Sequence, residues 1–396
     1  MNILFISTHP IQYHAPLFSY LTKHFPFPIK IIYTLGEQYE SIRDDDFGVK
    51  RTWNLDLLSG YDYEFIENSA TRPSSNGYWG IQNPTLIKRI EEIQPNVILI
   101  YGWKHHSHLA VMRYFKGKIP ILFRGDSTSL DDQEKFFLFN VIRYKILNWV
   151  YKHVDCVLSP GSASDLYFKK SGLRISQIVR AEHAIDNNHF SSFSIEEEWR
   201  LKELKDQLSI GEDELVFVFA GKFIEKKNPL LLIKAFKLLA LENEKVRLVL
   251  VGNGVLEQQM RNEIDSLSET ISKRIDLLPF QDQNEMKIIY RLADVFVLPS
   301  KGPEETWGLS INEALASGTP VLVSDKAGCA QDLVIDGNNG YVFHSNNIMD
   351  LLQKMKMLCS EQLRKQLQTN TRASTKSFSY SSFSTALNNI FPQVEY

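Results

Sequence analysis

The amino-acid sequence predicts an α/β protein with two domains, each built around a parallel β-sheet. The first observation is the length, because 396 residues exceed what one hydrophobic core normally serves. The second is the alternation of short apolar runs with helical patterns, as in the strand, loop, helix and strand predicted between residues 295 and 323. The third is a polar segment at residues 186–212, with a serine-rich stretch and an acidic run at 196–198. We place the domain boundary in this segment.

Composition and charge exclude several classes of protein. Hydrophobic residues make up 43% of the chain and charged residues 23%, as in ordinary soluble globular proteins. A formal net charge of -3 gives no reason to expect a nucleic-acid partner. No apolar run approaches the roughly 20 residues of a membrane span, and the N-terminus enters a strand directly rather than a signal peptide. Cys156, Cys329 and Cys359 are far apart and odd in number, which suits a reducing compartment. We therefore expect a cytoplasmic protein that is soluble or peripheral to a membrane.

The first half of the chain is predicted to contain buried strands joined by helices and loops. Apolar runs predict strands at residues 3–7, 29–34, 95–101, 119–123 and 154–159, the last of which closes this half. Helical patterns cover residues 17–24 and 135–152. Residues 36–82 are polar and aromatic with little periodicity, so we expect an elaborated loop region, a kind of segment that tends to be functional.

Polar side chains follow the first and third of these strands. His9, Gln12 and His14 form a polar cluster behind the first strand, although a surface-loop role is favoured for His14. The strand at 95–101 ends in residues 102–104 and is followed by histidines at 105, 106 and 108. A metal site at these histidines lacks an accompanying Cys, Asp or Glu. The alternative, in which residues 102–104 face a substrate and the histidines begin a helix, is favoured.

Two further features of the first half have competing interpretations. The acidic triplet at residues 44–46 invites a metal-binding role, but it does not end an apolar strand, and charge triplets are usually solvated. The helix at 135–152 has four basic residues, no acidic ones and six aromatics, which fits a helix that lies on a membrane surface. A core helix whose lysines extend to solvent is the favoured interpretation.

The second half repeats the pattern of strand and helix. Apolar runs predict strands at residues 215–220, 247–251, 275–280, 295–298 and 321–323. Helices are predicted up to residue 241, at 284–292 and at 310–316, where Gly318 is placed to end the helix. A last helix is predicted near 378–391.

The loop and helix after residue 298 carry the strongest chemical pattern. The loop sits at the carboxyl edge of the predicted sheet, where ligands of open α/β sheets bind. Gly308 lets a ligand approach the backbone, and the free N–H groups of the following helical turn suit phosphate. Glu305 can face hydroxyl groups beside that phosphate, and Glu313 can reach a second set. A capping box formed by Ser310 and Glu313 is the structural alternative.

This stretch resembles the donor-site signature of glycosyltransferase family 4, the retaining enzymes of the GT-B fold. The matching positions are Pro299-Ser300, Glu305, Trp307-Gly308, Glu313-Ala314, Ser317-Gly318 and Pro320-Val321, with Trp307 where Phe is usual. Lys222 and Lys227 match the family's Arg and Lys in a loop after the strand at 215–220, and Gly252-Asn253-Gly254 matches a turn beneath the nucleotide. The resemblance covers nearly the whole chain, strongly from about residue 215 to 345.

The resemblance implies a role for each matching residue. The catalytic residues would be Glu305, Lys227 and Asp126, the last standing near the place of a family His. The donor would contact Lys222, Lys227, Gly252, Asn253, Phe280, Gly308, Leu309 and Glu313. The acceptor would contact His9, Gln12, Trp103 and Lys104. Neither a cofactor nor a metal is implied, because lysines and a helix terminus can carry the leaving charge.

The fold that the resemblance implies is GT-B, with two Rossmann-like domains facing across a cleft. Residues 1–190 would form the acceptor domain, joined by the C-terminal helix 376–396, and residues 205–375 the nucleotide-sugar domain. The implied reaction moves a hexose-type sugar, from a UDP-sugar rather than a GDP-sugar, to a hydroxyl of a glycan or lipid-linked acceptor in bacterial surface polysaccharide synthesis. Peripheral membrane contact would occur through the first domain. The alternatives are a nucleotide-sugar 2-epimerase and a non-catalytic nucleotide-sugar-binding protein.

Overall fold

The structure is a computed structural model, and it describes residues 1–37, 39, 56–130, 132, 136–302 and 305–391. These residues form two compact units. The first unit contains the described residues up to Ala184 and those from Phe378 onward, and the second unit runs from Ile185 to Ser377. The acidic triplet at residues 44–46 lies outside the described residues, so its predicted lack of a metal role stays a prediction.

The first unit is built on a sheet of seven strands. They are β1 (Ile3–Ser7), β2 (Ile29–Tyr33), β3 (Asp62–Phe65), β4 (Val97–Tyr101), β5 (Ile121–Arg124), β6 (Cys156–Ser159) and β7 (Ile178–Arg180). All neighbouring pairs are parallel, in the order β3-β2-β1-β4-β5-β6-β7. A parallel sheet needs cover on both faces, which explains why β1 and β4 are apolar at almost every position.

Helices cover both faces of this sheet. They are α1 (Ala15–His24), α2 (Leu86–Ile93), α3 (His106–Phe115), α4 (Phe137–Tyr151), α5 (Ser162–Lys170) and, from the end of the chain, the helix Tyr380–Asn388. Successive strand residues point to opposite faces, so Phe5 packs with α1 and the C-terminal helix, whereas Ile6 packs with α2 to α5. Phe383 and Leu387 of the C-terminal helix are fully buried in this core.

The second unit has a sheet of six parallel strands. They are β8 (Leu215–Ala220), β9 (Val246–Val251), β10 (Ile275–Leu278), β11 (Val295–Leu298), β12 (Val321–Ser324) and β13 (Gly340–Phe343). Their order is β10-β9-β8-β11-β12-β13. Ten helices of the described chain belong to this unit: α6 (Asn187–Ser191), α7 (Ile195–Gln207), α8 (Pro229–Glu242), α9 (Glu257–Asp265), α10 (Glu269–Ser272), α11 (Gln283–Leu292), α12 (Leu309–Ser317), α13 (Ala330–Leu333), α14 (Ile348–Met357) and α15 (Glu361–Ser374). The C-terminal helix of the first unit is therefore α16.

Three edge strands differ from the sequence-based prediction. β3 lies inside the region predicted as loop, and β7 follows β6, which was predicted to close the first half. β13 was not predicted either. β3 has the sequence Asp-Tyr-Glu-Phe and stays half exposed, and β7 is only three residues long. Edge strands of this kind lack the apolar runs that identify buried strands, because only one side of the strand is paired.

Helix α4 also differs from its interpretation as a core helix. Leu147, Val150 and Tyr151 are its buried residues, whereas Phe137 is 81% exposed and Ile142 is 53% exposed. Only one narrow row of side chains therefore reaches the sheet, and the favoured interpretation is wrong. Within the described parts of the chain, no helix has the length and apolar character that crossing a bilayer requires.

Candidate active site

The candidate site lies at the carboxyl edge of the second sheet, between β8 and β11. The chain leaves β8 toward β9 on one side, and β11 pairs with β8 on the other side, so the strand order reverses between them. Ligands of open α/β sheets bind at such a switch point. The loop after β8 carries Lys222 and a short 3₁₀ turn, Glu225–Lys227, and the loop after β11 carries Glu305. Because both strands run the same way, these two loops meet.

A close ion pair joins the two loops. Lys227 Nζ lies 2.6 Å from Glu305 Oε2, and the side chains are 17% and 6% exposed, respectively. The Ser300 hydroxyl donates to the same carboxylate oxygen at 2.9 Å. The backbone N–H of Lys301 donates to the carbonyl of Lys226 at 2.9 Å, which ties the two loops together independently of the side chains. Two of the residues with predicted catalytic roles are thus in direct contact.

The charge on Glu305 is held by its surroundings. Burial by itself would raise the pKa of Glu305, but the Lys227 ammonium and the Ser300 hydroxyl outweigh burial and hold the pKa below its usual value. The backbone around this carboxylate is fixed from a third loop, since the N–H of Gly328 donates to the carbonyl of Glu305 at 3.0 Å and that of Cys329 donates to the carbonyl of Trp307 at 3.0 Å. Gly328 and Cys329 were not identified from the sequence.

Helix α12 begins directly after this loop. Gly308 is its N-cap residue with φ +102, a left-handed conformation that favours glycine, and Gly318 ends the helix as predicted. The indole N–H of Trp307 donates to Asn312 Oδ1 at 2.8 Å, and both side chains are buried. A phenylalanine could not make this bond, so the departure from the family's usual residue has a structural use here. The first turn of α12, with Leu309, therefore starts beside Glu305 in a fixed direction.

Glu313 lies one turn into α12, and its side chain is buried. The Tyr290 hydroxyl donates to Glu313 Oε2 at 2.5 Å. Burial raises the pKa of Glu313 to about 7, although the Tyr290 hydrogen bond opposes this shift. The capping-box alternative does not hold, because the N-cap residue is Gly308 and Ser310 already lies within the helix. A buried carboxyl with this pKa costs stability, which is common for groups with a binding or catalytic role.

The turn after β9 packs under the loop after β8. Gly252 has φ +146, and a Cβ added there would lie 2.0 Å from the carbonyl oxygen of Gly221, so only glycine fits. Asn253 accepts the backbone N–H of Phe223 with its carbonyl and that of Phe280 with its side-chain oxygen, both at 2.9 Å. Phe280, just past β10, is 40% exposed. The predicted donor-side residues of three loops thus line one edge of the sheet.

The predicted residues of the first unit lie at the carboxyl edge of its own sheet. His9 follows β1, and its ring bonds to Thr8 Oγ1 at 2.9 Å and stacks on Tyr39. Lys104 is exposed and Gln12 is half-buried. Trp103, also half-buried, packs against the core shared by α2 to α5. Asp126 is exposed in the loop after β5, as a group that faces a substrate must be.

A cluster of buried Arg124 with half-buried His14 and His183, near Asp126, was not predicted from the sequence. The Arg124 guanidinium donates to the carbonyls of Leu158, Ala181 and Glu182, which fixes the chain ends after β6 and β7. Burial lowers the pKa of Arg124 to about 10, so it stays charged at neutral pH. Burial and the Arg124 charge lower the pKa of His14 to about 3 and that of His183 well below its usual value. The surface-loop role favoured for His14 is wrong, since its ring lies 4.6 Å from that of Tyr101.

The other histidines of the first unit have structural partners. His108 bonds to Thr34 Oγ1 and to the carbonyl of Gly102, both at 2.9 Å, and His105 to the carbonyl of Gly77 at 3.2 Å. His106 begins α3, as predicted, and stacks on Trp79. In the described part of the chain, no group of three or more His, Cys, Asp or Glu side chains is arranged to hold a metal ion.

Glu313→Gln tests whether the buried carboxyl costs stability. The folded-state pKa, about 7, lies above the ordinary 4.5, so the unfolded chain binds fewer protons between these values and stability falls as the pH rises from 4.5 to 7. The amide can still accept the Tyr290 bond without ionising. At pH 8 we expect the variant to have a higher melting temperature and a free energy of unfolding up to about 3 kcal/mol above that of the parent, with both differences shrinking toward pH 5. The exposed Glu244→Gln should show neither effect, and a Glu313→Gln variant that melts lower than the parent at pH 8 would contradict the prediction.

A double-mutant cycle tests the Lys227–Glu305 pair. Lys227→Met leaves the buried Glu305 carboxylate without its counter-charge and should reduce the free energy of unfolding by about 2–4 kcal/mol. Adding Glu305→Gln removes the stranded charge, so the double variant should recover most of that loss. Chemical unfolding of the four proteins measures the coupling. Losses that simply add would show that the pair is not coupled.

Comparisons with known proteins agree with this geometry. Residues 201–374 match the family "Glycosyl transferases group 1". The chain is 33% identical over 144 residues to the lipopolysaccharide 1,2-N-acetylglucosaminetransferase of Salmonella typhimurium, which covers 35% of this chain and 37% of the relative. It is 33% identical over 157 residues to the alpha-monoglucosyldiacylglycerol synthase of Acholeplasma laidlawii, a match that covers 39% of this chain and 37% of that relative. The matches thus span well under half the length of these curated relatives.

A solved structure extends the similarity to the whole fold. Anabaena HepE in complex with UDP has a TM-score of 0.74 with 18% identity, and the match covers 100% of both chains. At this identity the similarity establishes the fold alone. Residues 201–374 therefore match the family glycosyl transferases group 1, and the fold of the chain is that of the GT-B glycosyltransferases.

Proposed function

We propose that this protein is a retaining glycosyltransferase that moves a hexose-type sugar from a nucleoside diphosphate sugar to a hydroxyl of a glycan or lipid-linked acceptor. The observation that carries the proposal is the Lys227–Glu305 pair at the switch point, beside the start of α12. At this one sheet edge, the cation and the helix N-terminus can bind a diphosphate from two sides. The carboxylate can accept hydrogen bonds from the hydroxyls of the attached sugar.

In the proposed reaction, the bond between the anomeric carbon and the diphosphate oxygen breaks, and the electron pair leaves with the diphosphate. Lys227 and Lys222 stabilise this charge together with the N–H groups of Gly308 and Leu309, so the site does not depend on a metal ion. The acceptor oxygen forms the new bond to the anomeric carbon. Its proton passes to a base, for which the Asp126 carboxylate and the departing diphosphate are the candidates.

The roles of the two glutamates follow from their surroundings. Glu305 is ionised and already paired with Lys227, so it can accept bonds from sugar hydroxyls while it orients the lysine toward the diphosphate. Glu313 bonds to Tyr290 and has one oxygen that can accept from ribose hydroxyls. A donor that binds here would favour the ionised form of Glu313, because hydroxyl donors stabilise a carboxylate.

The relatives support the choice of substrates. One is named for transfer of N-acetylglucosamine to lipopolysaccharide and another for synthesis of a glucosyl lipid, and HepE was crystallised with UDP. We therefore propose a UDP-sugar donor and a role in bacterial surface polysaccharide synthesis. The acceptor would bind the first unit near His9, Gln12, Trp103 and Lys104, and the enzyme would work in the cytoplasm at the inner face of the membrane.

The first test combines donor binding with turnover. Thermal shift with UDP-glucose, UDP-N-acetylglucosamine and GDP-mannose should show stabilisation by one donor. With that donor, free nucleoside diphosphate should appear only when a panel of saccharide or glycolipid acceptors is added, and excess chelator should leave the rate unchanged. The Lys227→Met/Glu305→Gln protein is expected to remain folded, as the double-mutant cycle tests. Its transfer rate should be lower than that of the parent by a factor of about a hundred or more. Conversion of the donor to its epimer would favour the 2-epimerase. Donor binding without any turnover would favour a non-catalytic nucleotide-sugar-binding protein.

Asp126→Asn tests the first unit's part in the reaction. The amide keeps the shape of the side chain and removes only its charge, so we expect a large fall in transfer with little change in melting temperature or nucleotide affinity. Asp265→Asn, an exposed site on α9, is the matched control. Transfer at the parent rate would remove Asp126 from the reaction centre. NMR of the anomeric proton of the product shows whether the configuration is retained.

A further inference from the structure

Helix α4 and the residue before it present a large apolar surface to solvent. We call these residues the α4 face. It comprises Phe136, Phe137, Leu138, Phe139, Ile142, Ile146 and Trp149, which are between 40% and 83% exposed. Leu138, Ile142, Ile146 and Trp149 follow at spacings of three and four, so they share one side of the helix, opposite the buried Leu147 and Tyr151.

The size of this face requires an explanation. Single exposed apolar side chains are normal on protein surfaces, but contiguous patches of this kind mark interaction sites. Intramolecular packing against the sheet already uses the buried row of α4, so the exposed row is not needed to cover the sheet. The face is also aromatic and includes a tryptophan beside cationic groups, a combination favoured where hydrocarbon meets water.

Cations border the α4 face. Lys145 and Lys152 are exposed on the helix itself, and the Arg113 guanidinium lies 5.6 Å from the centre of the Trp149 ring. Lys152 Nζ lies 5.9 Å from the same ring. No acidic residue occurs between residues 136 and 152. The nearby acidic groups that the structure describes have partners of their own: Asp132 is bonded to Arg143 and Asp155 to Lys116.

We propose that the α4 face docks the first unit onto an anionic phospholipid surface. Apolar side chains would enter the boundary between headgroups and acyl chains while the bordering cations meet anionic headgroups, as in helices that lie in the plane of a membrane. The α4 face would hold the protein at the membrane location proposed above. Only the identity of that membrane rests on the proposed function.

The charges favour a membrane over a second copy of the chain. A two-fold dimer brings the same patch of both copies together. Lys145, Lys152 and Arg113 of one copy would then approach those of the other, with no acidic residue on the helix to offset them. An anionic lipid surface supplies the missing negative charge, so the occupant that complements both the apolar and the cationic parts is the membrane.

Vesicle binding by the full chain tests the proposal. Co-sedimentation with vesicles of phosphatidylcholine containing phosphatidylglycerol should show binding that weakens with added salt, and pure phosphatidylcholine should bind much less. Phe137→Ser/Phe139→Ser should lower the affinity for the anionic vesicles at least about tenfold, because two apolar insertions are lost. Trp199→Ser, which removes a residue that is 75% exposed on α7 of the second unit, should leave it unchanged.

A second pair of variants isolates the cations. Lys145→Gln/Lys152→Gln should lower affinity for anionic vesicles about tenfold and leave the weak binding to phosphatidylcholine unchanged. Lys234→Gln/Lys237→Gln, two exposed lysines on α8, is the matched control. All variants should have the same melting temperature as the parent, since none of the changed side chains is buried.

Two outcomes would overturn the proposal. One is a parent protein that binds neither kind of vesicle. The other is a dimer, seen by sedimentation velocity, that Phe137→Ser/Phe139→Ser dissociates, which would make a second copy the occupant. Because vesicle binding requires no sugar transfer, an enzyme that transfers sugar but ignores vesicles would refute only the docking surface. A protein that binds vesicles without any transfer would refute only the transferase proposal.

Discussion

The parallel pairing of β8 with β11 is the constraint on which the candidate site depends. Lys227 and Glu305 are far apart in the sequence, yet each follows a strand that ends at the same edge of the same sheet. An antiparallel neighbour would have placed one of these loops at the opposite edge. The backbone hydrogen bond from Lys301 to Lys226 then joins the two loops, and the bond from Gly328 to Glu305 holds the second of them from the loop after β12. The ion pair is therefore a consequence of sheet topology rather than of local sequence.

Burial affects the pKa values of two carboxyl groups near the start of α12 differently. Glu305 has a lysine and a hydroxyl to offset its burial, whereas Glu313 has only the Tyr290 hydroxyl. The first is therefore ionised at neutral pH, and the second has a pKa of about 7. Burying the Glu313 carboxyl lowers the stability of the fold. The fold gains nothing in return, since an amide could equally accept the hydrogen bond from Tyr290. A polar ligand that donates to Glu313 would recover that cost on binding, which links the stability of the second unit to occupancy of its site.

The first unit carries its charges differently. Arg124 is buried and bonded to three carbonyls, and its charge helps to keep the nearby His14 and His183 neutral. Neutral imidazoles can donate or accept hydrogen bonds at the carboxyl edge without adding further charge. Elsewhere on the same unit, α4 exposes an apolar face bordered by lysines. The uncharged polar groups near the predicted acceptor residues and the apolar, cationic surface of α4 are thus two separate features of the first unit.

The sequence alone determined the class of fold, the central strands and the donor motif. Buried parallel strands need apolar runs, so β1, β8 and β11 have the predicted bounds, and Gly318 ends α12 because a left-handed residue is needed there. Two edge strands could not be predicted, β3 because it is half polar and β7 because it has only three residues. Tertiary structure alone decided the contact of Lys227 with Glu305, the burial of Glu313 against Tyr290 and the exposure of α4. Each of these depends on which distant segments lie beside a residue, and neither periodicity nor residue type contains that information.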